Sequence, residues 1–134
     1  MSRFLPADHS LGDERTIGGY AAVHARPAAF EGRDGYSYSV EILADAGADS
    51  DAPFGAFFLF VQWKRFGEQG VEGHLESPFL ARGHDVGAAK AALGAMTVEE
   101  VQRQLDALIS AREETQRNAQ REEQRATALD DEAP

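Results

Sequence analysis

In Gly73-His74-Leu75-Glu76-Ser77 an imidazole and a carboxylate stand two residues apart, the spacing that puts both on one face of a β-strand. Such a pair can share a metal ion or pass a proton. Glu41, in another alternating segment, adds a carboxylate for general acid or base work. Glu41, His74 and Glu76 are therefore the candidate site for a small-ligand or metal-dependent enzyme. Metal centres usually take three or more ligands, however, and His9, His24 and His84 follow no helical or His-rich ligand spacing. A solvated histidine–glutamate pair on an open sheet face satisfies the same pattern, and the spacing favours that reading.

Other chemistries find less support. Asp45, Asp49 and Asp51 share one loop and offer the hard oxygen donors that calcium prefers, but the sharp-turn glycine and the closing bidentate glutamate of an EF-hand are absent. Solvated turn acids fit better. Glycines 12, 18, 19, 32 and 35 form neither a dinucleotide fingerprint nor a phosphate-binding loop. Ser37, Ser39 and Ser77 lie outside any G-x-S-x-G elbow. With Cys 0, thiolate nucleophiles, disulfides and thiolate-held metals are excluded, and a reducing cytoplasm suits the chain. No cofactor is implied and no intrinsic catalysis is evident.

A side-chain pair can act only where strands and helices hold it. Residues 1–18 carry Pro6, Gly12 and Gly18 without periodicity and read as a flexible or loosely docked arm. Tyr20 to Phe30 allows a strand, which Pro27 confines to a sheet edge or breaks in two. Beyond the Asp34-Gly35 turn, Tyr36 to Ile42 alternates strictly, as a strand with one wet face does. The loop Ala44 to Pro53 leads to Phe54–Phe66, where neither face is polar and a central strand is expected. After the Gly67–Gly70 turn, Val71 to Leu80 reads as a third strand, with Leu75 and Phe79 on one face and His74 and Glu76 on the other. Short connections imply an antiparallel meander.

Two helix starts are written in the next segment. Asp85 can cap a helix that runs to about Leu93 and stops at Gly94. Thr97-Val98-Glu99-Glu100 has capping-box spacing, with Met96 and Val101 placed as a hydrophobic staple. Val98, Val101, Leu105, Leu108 and Ile109 then recur on one helical face. From residue 110 to 134 Arg, Glu and Gln dominate, and the segment reads as a charged helical or disordered extension. The expected fold is α+β, a three- to four-stranded antiparallel sheet with one face covered by two C-terminal helices. A single domain over 19–109 carries the core.

Thirteen Lys and Arg against 23 Asp and Glu leave a net charge of −10, which repels nucleic-acid phosphates and favours a basic partner or simple dispersion. No apolar stretch is long enough to span a bilayer, so no membrane partner is expected. The Phe-rich strand is the more informative feature. If Phe57, Leu59, Val61 and Trp63 face the helices, Phe58 and Phe60 face the other side among Ser37, Ser39, Glu41, His74 and Glu76. Two aromatics in a polar frame have the composition of an interface core and rim, unless Tyr20–Phe30 folds over them. On this reading the chain is a small accessory or interaction module that binds a protein partner or self-associates through the Phe58 and Phe60 face, the charged C-terminal helix, or both.

Overall fold

The computed structural model describes residues 6–47, 51–65 and 69–132, with side chains through residue 128. In chain order it has a 3₁₀ turn at His9–Leu11, helix α1 (Ile17–His24) and strand β1 (Ala29–Glu31). Strands β2 (Ser37–Ala46), β3 (Phe54–Trp63), β4 (Val71–Glu76) and β5 (Ala81–Gly83) follow, then helices α2 (Val86–Gly94) and α3 (Val98–Glu132). The strands form one antiparallel sheet in the order β1-β2-β3-β4, with β5 also paired to β3. This is the expected α+β architecture: an antiparallel meander with helices on one face and a long, charged last helix.

The hairpin of β2 and β3 is the spine. Its ladder runs without interruption from Tyr38↔Gln62 to Ala46↔Phe54. On the other side of β3, β4 covers the half from Leu59 to Trp63 and β5 the half from Phe54 to Ala56. The segment expected as one strand from Val71 to Leu80 is thus split. Pro78 lacks a ladder donor, and Ser77 supplies the link instead: its amide donates to the Phe58 carbonyl (3.0 Å) while its hydroxyl accepts from the Phe58 amide (2.9 Å). The break shifts the alternation, so Phe79 stands over the face opposite Leu75 and meets Phe57, with ring centroids 5.9 Å apart.

Both helix starts form as their spacing requires. The Asp85 carboxylate accepts from the Ala88 amide at 2.7 Å. The Thr97 hydroxyl accepts from the Glu100 amide at 3.2 Å while Glu100 reaches back to Thr97. Val101, Leu105 and Ile109 of α3, and Ala89 and Leu93 of α2, are buried against Tyr38, Val40, Phe58 and Phe60 of the sheet.

The N-terminal quarter departs from expectation. Tyr20 to His24, expected as strand, is the second half of α1, capped by Thr16, whose hydroxyl accepts from the Gly19 amide at 3.0 Å. Only Ala29–Glu31 pairs as an edge strand, beyond the break at Pro27. Paired glycines hide this helix from a propensity argument, yet Gly18 is what seats it. A Cβ there would stand 3.1 Å from both Cα and O of Gly94, so α1 and α2 meet at bare backbone. Gly94 accordingly serves close packing, not a left-handed stop. Residues 13–18 are docked: the Ile17 amide donates to the Met96 carbonyl and the Val98 amide to the Arg15 carbonyl, each at 2.8 Å, and Thr16 bridges Thr97. Residues 1–5 of the expected arm lie outside the described residues.

Candidate functional site

Even-numbered residues of β2 pair with even-numbered residues of β3, as in Val40↔Phe60 and Ile42↔Phe58. Tyr38 and Val40 must face the helices because Ser37, Ser39 and Glu41 are hydrophilic, so this register sends Phe58 and Phe60 to the same side. Both are fully buried, 0% exposed, with ring centroids 5.8 Å apart. The expectation that they lie on the open face is therefore corrected: they belong to the core cluster on the helix side, which also holds Ala28 and Phe30. The opposite parity forms the outer face: Phe57, Leu59, Val61 and Trp63 run along β3, with Leu43 beside them on β2.

No helix among the described residues lies over that face, since α1, α2 and α3 contribute to the core on the other side. The row is half-buried by its neighbours and exposed at its ends, where Trp63 is 42% and Phe79 40% accessible. The Trp63 indole N–H donates to the Ser39 hydroxyl at 3.0 Å, which lays the ring across the sheet. An unbroken apolar row several residues long on an uncovered sheet is uncommon on a monomer surface.

Glu41, His74 and Glu76 share this face as separate groups. Glu41 and Glu76 flank Leu59 on opposite neighbouring strands, and His74 sits beside Val61. Two strand spacings, about 10 Å, separate the backbones that carry the two carboxylates. All three are exposed, and none has a hydrogen-bond or ion-pair partner among the described residues. No group of three or more His, Cys, Asp or Glu among the described residues is placed to hold a metal ion. Of the loop acids, Asp45 ends β2 and accepts from the Ala46 amide at 2.9 Å, while Asp49 lies outside the described residues.

One concavity adjoins the face and another lies on the helix side. The first, about 420 Å³, is formed by Asp45, Phe57, Glu76, Ser77, Pro78 and Phe79. Its aromatic wall depends on a glycine: a Cβ at Gly55 would stand 2.5 Å from Cγ of Phe79, so the ring rests on bare β3 backbone. The other, about 350 Å³, lies between α1 and β2 among Ile17, Ala21, Ala28, Val40 and Ile42. Arg26 and Glu41 at its rim are its only charged lining residues, and no set of polar groups converges there as an active site requires.

The strongest polar constellation is on the helix side and was not legible in the sequence. Arg112, one turn past the apolar stripe, donates to Gln62 (3.1 Å), to Asp34 (3.2 Å) and to the Tyr38 hydroxyl (2.9 Å). Tyr38 in turn donates to Asp34 at 2.6 Å. Burial, reinforced by the Asp34 carboxylate, pushes the Tyr38 phenol up to about 12 against the opposing pull of Arg112. Arg65 stacks on Tyr36, 3.7 Å from the ring centroid, and donates to the Asp34 carbonyl. Every member binds another part of the chain, so the cluster clamps α3 to the β1–β2 turn.

No family model matches the chain, and neither a curated protein nor a solved structure matches it. No helix among the described residues is long and apolar enough to cross a membrane.

Proposed function

We propose that the chain is a non-catalytic protein-interaction module whose binding surface is the open sheet face built on Phe57, Leu59, Val61 and Trp63. The observation that carries this reading is the uncovered apolar row on the central strand, rimmed by Ser39, Glu41, His74 and Glu76. An apolar centre inside a polar rim is the anatomy of a protein interface, and aromatic anchors such as Trp63 dominate binding energy. Glu41 and Glu76 stand on strands either side of β3, and no polar contact among the described residues joins them to His74, which favours an interaction role over a joint acid–base site. An acidic chain disfavours direct nucleic-acid binding, and its lack of cysteine suits an accessory subunit of a cytoplasmic complex.

Leu59→Ser combined with Val61→Ser tests the proposal. The variant should stay folded, with a stability within about 1–2 kcal/mol of wild type, while its solution mass falls to that of one chain or its co-purifying partner is lost. Unchanged mass and unchanged partners in a folded double variant would overturn it.

A further inference from the structure

We infer that the occupant of the open sheet face is a basic segment of another protein, with a lysine or arginine side chain seated between Asp45 and Glu76. The inference rests on the interaction reading above and adds the partner's chemistry to it. Around the apolar row, Glu41, Asp45 and Glu76 carry negative charge, Arg82 beside Gly55 carries positive charge, and His74 stands beside Val61 at the other end. Arg82 is engaged with the Phe79 ring, 5.6 Å from its centroid. Glu76 has no side-chain partner among the described residues, and the Asp45 carboxylate accepts from the neighbouring Ala46 amide.

The concavity of about 420 Å³ joins these two carboxylates to the rings of Phe57 and Phe79. A long basic side chain is amphipathic in the same order: its methylene stem covers aromatic surface and its charged head meets the carboxylates. A compact anion has no complementary group there, and an apolar side chain would leave both carboxylates facing it unpaired. A second copy of this chain fits poorly. Face-to-face pairing about a two-fold axis would bring two surfaces of the same acidic character together, each on a chain of net charge −10. A basic partner gains from that field in both affinity and encounter rate.

The test titrates the full chain with a synthetic twelve-residue peptide of alternating lysine and leucine, and separately with its glutamate–leucine counterpart, following backbone amide shifts. The expected result is that the lysine peptide shifts the amides of Asp45, Phe57, Leu59 and Glu76, and binds more weakly as salt rises. The glutamate peptide should leave them in place. Combining Glu41→Gln, Asp45→Asn and Glu76→Gln should weaken the lysine peptide roughly tenfold without changing the melting temperature. Equal binding of both peptides, shifts confined to the exposed part of α3, or undiminished binding by the triple variant would overturn the inference. So would a doubled solution mass with this face protected, which would assign it to a second copy. If Leu59→Ser with Val61→Ser abolishes binding while the triple variant does not, the face is an interaction surface and only its basic selectivity is lost. If neither variant matters, the interaction reading falls too.

Discussion

Tyr38 is the residue on which the helix side turns. Its ring is fully buried in the core, and its hydroxyl meets Asp34 and Arg112 at the core's edge. A phenol held at about 12, against an ordinary value near 10, keeps its proton in the folded chain after the unfolded chain has lost it. The stability this contributes is fully present below pH 10 and is lost as the pH rises through 12. The loss should amount to roughly 2–3 kcal/mol across that window. Tyr38→Phe should flatten the alkaline fall in denaturant midpoint while costing about 1 kcal/mol at neutral pH, since Asp34 keeps Arg112 and the Tyr36 amide. Equal alkaline slopes in the two proteins would show that the phenol ionises as freely when folded as when unfolded. None of this was legible in the sequence. Asp34 looks like a turn residue in Asp34-Gly35, Gln62 like a mistake in an apolar strand, and Arg112 like one charge among many, and only the fold makes them neighbours.

At the level of elements, what the sequence made legible rests on local spacing. The capping box at Thr97, the cap at Asp85 and the stripe from Val98 to Ile109 are decided within a few residues, and all three are present in the fold. Helix α1 was missed because Gly18 and Gly19 lower its propensity and its reason for existing, the contact with Gly94, is distant. Its far end offers a test. Ala25 caps α1 in the left-handed region at φ 52°, a conformation that glycine adopts without a Cβ clash, so Ala25→Gly should raise stability by about 0.5–1 kcal/mol. An unchanged or lower thermal midpoint would show that the cap is not strained. Helix α3 has 35 residues, a length of about 50 Å, yet among the described side chains its last hydrogen bond to the sheet is made by Arg112. Truncation after Glu114 should leave the denaturant midpoint almost unchanged, whereas truncation after Ala111 should lower stability by about 1–3 kcal/mol because Gln62 and Asp34 lose their cation. Identical midpoints for the two truncations would remove the clamp from this account.

For the whole molecule, the decisive uncertainty in the sequence was one of parity. Shifting an antiparallel partner by one residue exchanges its two faces, and β3 is apolar on both, so its own composition does not choose. Its one polar side chain, Gln62, even points the wrong way: it lies on the core side and is satisfied there by Arg112. The choice is made by the β2–β3 register, which the connection over residues 47–53 must deliver and which no local pattern announces. Adjacent residues of one strand therefore have opposite roles. Phe58→Ser with Phe60→Ser removes two fully buried rings and puts hydroxyls in their place. At roughly 3–5 kcal/mol for each large-to-small change, the pair rivals the entire stability of a small domain. That double variant should unfold or aggregate. Leu59→Ser with Val61→Ser, on the outer face, should fold cooperatively with a midpoint within about 1–2 kcal/mol of wild type, because these side chains are half-buried rather than in the core. Circular dichroism melts of the two double variants, made side by side, compare the faces directly. A folded Phe58/Phe60 variant or an unfolded Leu59/Val61 variant would reverse the sheet's orientation, and with it the surface assigned to the partner.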